Sequence, residues 1–77
     1  MTKKNNTRNI KYDLAGGSWV SVAGNSTYTE GSYYPLPDVE RTGYKFLGWK
    51  DIESGKITRK IEYTDVGDKI YVAQYQY

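Results

Sequence analysis

Cysteine and histidine are both absent from these 77 residues. Without thiols there is no disulfide to staple a small fold, and without thiolate or imidazole the usual structural zinc ligands are missing. The same absences exclude thiol nucleophiles, Ser-His-Asp triads and the common metallo-hydrolase centres. A charge excess of one sign is missing too: eleven Lys and Arg stand against nine Asp and Glu, for a net charge of +2. Dedicated nucleic-acid binders carry a basic stripe on one face. Here the one basic cluster is Lys3, Lys4 and Arg8, set among Asn5, Asn6 and Thr7. No apolar run approaches the ~20 residues that span a bilayer, and the first residues lack the apolar core of a secretory signal. No window sustains a 3.6-residue period, so helix is expected only as a single turn over residues 38–41 at most.

What the chain has is aromatic side chains: nine Tyr, two Trp and one Phe. Each buried ring removes about 150–250 Å² from water. A chain of this length buries only about 60% of its unfolded surface, and such a core rarely supplies more than about 3–5 kcal/mol of net stability. The rings are therefore read as the substitute for a staple. Residues 1–8 read as a flexible tail and residues 9–77 as one domain.

Period-two alternation marks the strands. Over residues 9–14, Ile10, Tyr12 and Leu14 share one face, and Gly16-Gly17 then makes a turn. Trp19, Val20 and Val22 form a short apolar segment, and residues 27–29 a brief strand. Pro35 and Pro37 hold residues 33–37 extended, with Leu36 pointing inward. Residues 44–50 form a strand in which Gly48 sits between Phe46 and Trp49. A glycine inside a strand marks a bulge, and a bulge at Leu47-Gly48 returns Trp49 to the face of Phe46. Residues 51–56 read as a hairpin connection and residues 57–61 as one short strand. In the last strand, residues 69–77, Ile70 and Val72 face one way, and Tyr71, Ala73, Tyr75 and Tyr77 the other. The expected core is Tyr12, Leu14, Leu36, Tyr44, Phe46, Trp49 and Val72. Lys11, Lys45, Lys60 and Lys69 are expected to guard exposed strand edges.

Three blocks resemble the Listeria–Bacteroides repeat, the B-repeat type of internalin surface proteins. They are Ile10-Lys11-Tyr12-Asp13-Leu14-Ala15-Gly16-Gly17; the stretch from Gly31 to Trp49, with Leu36-Pro37, Arg41-Thr42-Gly43-Tyr44, Phe46 and Gly48-Trp49; and Tyr71-Val72-Ala73-Gln74-Tyr75, where Tyr75 stands in place of the family's usual Trp. The resemblance implies a β-grasp-like mixed sheet with little or no helix, its first and last strands adjacent and parallel. It also implies an exported, non-enzymatic bacterial module at the cell surface or wall, excised from a longer protein with neighbouring repeats, and acting as a rigid spacer or protein-interaction domain.

Among specific sites, the tyrosines invite an alternative, a carbohydrate-binding module. Flat rings stack on sugars, and the candidates are Tyr33, Tyr34, Tyr63, Tyr71 and Tyr75. Asp65 and Asp68 with Glu62 fall short of the six to eight oxygen ligands of a calcium loop, so a solvated loop is expected there. No catalytic residue, cofactor or metal site is expected. The expected partner is an unidentified protein or glycan, not nucleic acid, and the domain is not expected to insert into a membrane.

Overall fold

The computed structural model describes residues 6–77, and within them the chain is built from nine strands and no helix. They are β1 (Thr7–Asp13), β2 (Ser18–Trp19), β3 (Thr27–Thr29), β4 (Tyr34–Pro35), β5 (Val39–Glu40), β6 (Lys45–Asp51), β7 (Ile57–Thr58), β8 (Lys60–Ile61) and β9 (Lys69–Gln76). Five form a mixed sheet in the order β3-β1-β9-β6-β7, while β2 pairs with β5 and β4 with β8 as separate two-stranded ribbons. The first and last strands lie side by side and parallel, with Ile10 opposite Lys69 and Asp13 opposite Val72. Every other pairing is antiparallel.

The strand boundaries follow local chemistry. β1 begins at Thr7, so Thr7 and Arg8 belong to the sheet rather than to the tail expected over residues 1–8; Lys3 and Lys4 lie outside the described residues. Thr7, Arg8 and Asn9 pair with Thr29, Tyr28 and Thr27, which gives these polar residues a ladder partner. Arg8 also donates from Nε to Glu30 Oε2 at 2.8 Å. Residues 38–41, where one turn of helix at most was expected, contribute β5, in which Val39 pairs with Trp19. The expected strand over 57–61 breaks at Arg59, whose guanidinium turns away to Asp38 Oδ1 at 3.0 Å and the Phe46 carbonyl at 3.1 Å. That break separates an exposed Ile57 from a buried Ile61.

β6 carries a register shift between Phe46 and Gly48. Gly48 has φ +139°, and the extra residue brings Trp49 round to the side of Phe46, ring centroids 5.6 Å apart. Trp49 has no exposed surface. Its ring meets Tyr12 at 5.2 Å and Trp19 at 5.6 Å, and its indole N–H donates to the Pro37 carbonyl at 3.0 Å. Around it lie Ile10, Tyr28, Leu36, Val39, Ile61, Tyr71 and Ala73, all buried, with Tyr12, Leu14, Trp19, Tyr34, Phe46 and Tyr75 half-buried against them.

Two residues expected in the core are elsewhere. Tyr44 is exposed, standing just before β6. Val72 is half-buried on the outer face of the sheet, opposite Asp13 and Lys50. The inward face of β9 is the one with Tyr71, Ala73 and Tyr75, because Tyr71 lies opposite Tyr12 and Ala73 opposite Trp49. The small Ala73 makes room for the indole. Lys69 starts that same face and is only 8% exposed, so it guards no edge. Its Nζ lies 3.4 Å from both Asp51 Oδ2 and Asp65 Oδ1. The two carboxylates supply the counter-charge that a desolvated ammonium requires.

Among the described residues no helix is long and apolar enough to cross a membrane. The molecule measures 51 × 24 × 16 Å along its principal axes.

Candidate functional site

Of the five tyrosines expected to form an interaction surface, Tyr33 and Tyr63 are open to solvent, at 47% and 66% exposure. The β4–β8 ribbon brings them together: Tyr34 pairs with Ile61, which sets the flanking Tyr33 and Tyr63 rings 5.9 Å apart and tilted by 34°. Tyr34 turns inward, and its hydroxyl accepts from the Asn25 amide at 2.9 Å. Tyr71 and Tyr75 are parts of the core rather than of a surface. The Tyr75 hydroxyl donates to the Leu14 carbonyl at 2.7 Å and ties the end of β9 to the turn after β1. Beside Tyr33 runs a shallow groove of about 250 Å³ whose polar lining comes from Asn25, Thr27, Thr29 and Ser32. Period-two alternation distinguishes neighbours such as Tyr33 and Tyr34, but it cannot show that residue 63 arrives next to residue 33.

A second surface lies where β6 starts and β9 ends. The Arg41 guanidinium stands 4.2 Å above the Tyr44 ring, and Tyr44 meets Tyr77 at 5.2 Å and Tyr75 at 6.2 Å. The turn closed by the Tyr44 amide donating to the Arg41 carbonyl at 3.0 Å sets this stack. Sequence reasoning assigned Tyr44 to the core and gave Arg41 no role. The three-residue spacing of Arg41 and Tyr44 across a Gly-containing turn is the signal that could have found them.

The acidic loop has structural work. Asp65 Oδ2 accepts from the Glu62 amide at 2.7 Å, and Asp68 Oδ1 from the Asn9 amide at 2.9 Å. Glu62 pairs with Lys60 at 3.3 Å. Among the described residues no three His, Cys, Asp or Glu side chains are grouped to hold a metal ion. Glu30 accepts from Arg8 and from the Gly67 amide, and these hydrogen bonds hold its carboxyl below the usual carboxylate range.

Burial raises the hydroxyl pKa of Tyr12 and Tyr71 well above the ordinary phenol value, and nearby Asp65 and Asp51 add to the effect at Tyr71. Burial likewise pushes Tyr28 up to about 12, reinforced by Glu30 and Asp65. An acid whose pKa is raised by folding is bound to its proton more tightly in the folded state. The unfolded chain therefore loses these protons first as pH rises above about 10, the ordinary phenol value, and stability falls with further rise. Alkaline titration is expected to show tyrosinate absorbance from these rings rising together with loss of the far-ultraviolet strand signal. Full ionisation of all nine tyrosines with the strand signal intact would contradict the burial of Tyr12, Tyr28 and Tyr71.

No family model matches the chain, and comparison with curated proteins and with solved structures returns no match.

Proposed function

We propose that this protein is a non-catalytic module of a bacterial surface protein, acting as a rigid spacer or protein-interaction domain. The observation that carries the reading is the stagger of the parallel β1/β9 pair. Thr7 lies six residues ahead of Asp13, which faces Val72, and Gln76 lies four residues beyond. At about 3.3 Å per residue, these two points are about 33 Å apart along the sheet. The chain thus enters at one end of the β1/β9 pair and leaves at the other. Units joined in this way extend end to end, and a stiff unit preserves reach better than a flexible linker of equal length. The placement at a cell surface or wall, and the neighbouring repeats, rest on the resemblance of the Ile10–Gly17, Gly31–Trp49 and Tyr71–Tyr75 blocks to internalin B-repeats.

The test is small-angle scattering from one, two and three copies joined in series. A spacer is expected to add close to one body length of maximum dimension per copy. Growth with the square root of copy number, or copies that fold back on each other, would remove the spacer reading.

The exposed Tyr33–Tyr63 pair beside its polar groove favours a second reading, a carbohydrate-binding module. Neutral saccharides would stack on those two rings.

A further inference from the structure

The three arginines of the chain are held in different ways. Arg8 pairs with Glu30 and Arg59 with Asp38. Arg41 makes no ion pair among the described residues, yet its side chain is fixed. Nη1 donates to the Ala15 carbonyl at 3.2 Å, and the guanidinium lies over Tyr44 and 5.8 Å from the Tyr75 ring centroid. Beside it sits Gly16, at φ +88°. A Cβ at that position would stand 3.3 Å from Arg41 Nε, so the bare backbone leaves that flank of the guanidinium uncovered. A guanidinium offers N–H donors in a planar fork. Most of that fork is free here, already oriented and without a carboxylate to receive it.

Arg41 lines a cleft of about 370 Å³ together with Gly16, Ser18, Glu40, Thr42 and Tyr44. We propose that this cleft binds an acidic saccharide, a pyranose whose carboxylate is received by the Arg41 fork. Bidentate pairing with a carboxylate is the interaction that the planar group serves best. The hydroxyls of Ser18, Thr42 and Tyr44 and the carboxylate of Glu40 donate to and accept from ring hydroxyls. The lining has no apolar recess for a peptide side chain. Glu40 selects against ligands with charge on both sides, so a single carboxylate fits and a densely sulfated chain does not. The site is separate from the Tyr33–Tyr63 pair and stands or falls independently of it and of the spacer reading.

The experiment is an NMR titration of the full chain with galacturonic acid, which carries one carboxylate, and, in parallel, with neutral galactose. The acidic sugar is expected to shift the Arg41 Nε–H and the amides of Gly16, Ser18 and Thr42, and the neutral one to leave them in place. Arg41→Lys, which keeps the charge but loses the fork, is expected to weaken the acidic sugar by about tenfold or more. Equal shifts from both sugars, no shift at Arg41, or unchanged affinity in Arg41→Lys overturns the proposal. Shifts confined to Tyr33 and Tyr63 overturn it as well and support the other reading instead. Should Arg41→Lys fail to fold, Glu40→Gln carries the test, because it leaves the stack intact. Removing that negative charge is expected to tighten the acidic sugar, and unchanged or weaker binding overturns the proposal.

Discussion

Trp49→Ala is expected to leave the chain without a cooperative fold at room temperature. Trp49 is wholly buried and touches three other rings, Tyr12 of β1, Trp19 of β2 and Phe46 of its own strand. Truncating a buried Trp to Ala costs about 3–5 kcal/mol. The change also strips the half-buried Pro37 carbonyl of its indole donor, which adds to the loss. A core of this size rarely supplies more than about 3–5 kcal/mol, so the loss is comparable to the whole margin. The measurement is amide dispersion by NMR together with a thermal melt followed by circular dichroism. A dispersed spectrum and a melt within a few degrees of the parent would show that the aromatic cluster does not hold the fold. Trp49→Phe keeps a ring in the site and is expected to retain a weakened cooperative transition.

Gly48→Ala is expected to have the next largest effect. At φ +139° an L side chain is strained, which costs about 1–3 kcal/mol. The new methyl would also sit 2.8 Å from Ile57 Cγ2 and 3.2 Å from the Thr58 carbonyl oxygen. Ile57 is exposed and can swing away, but the carbonyl belongs to the β6–β7 ladder and cannot move without loosening it. Crowding of this kind adds about 1–3 kcal/mol. The urea midpoint should fall sharply while the slope of the transition stays constant. A midpoint equal to the parent's would mean that β6 runs regularly through residue 48.

The bulge was legible because a glycine between two large aromatics leaves few alternatives if both rings are to share one core. β1, β3, β6 and β9 were legible from alternation in the same way. Alternation separates two faces but does not say which is inward. On β9 both faces are apolar, Ile70 and Val72 against Tyr71, Ala73 and Tyr75, and the choice is made by Tyr12 and Trp49 on neighbouring strands. Aliphatic character favoured Val72, which lies on the outer face. Two-residue strands such as β5 and β8 are too short to show a period, which is why residues 38–41 gave no strand signal and residues 57–61 read as one strand. Lys69 read as an edge guard because its two counter-ions, Asp51 and Asp65, are distant from each other in the chain and meet only in the folded molecule. The surface clusters were hidden for the same reason: Tyr33 meets Tyr63, and Tyr44 meets Tyr77, through pairings with no local signature.

The side-by-side placement of β1 and β9 has a mechanical consequence. When a tether draws Thr7 and Gln76 apart along the sheet, the two strands are dragged past each other lengthwise, and the backbone bonds between Ile10–Asp13 and Lys69–Val72 carry the load together rather than peeling one at a time. The domain would then yield only when that shared seam slips as a whole, so a fold of modest thermodynamic stability can still resist traction applied through its two ends.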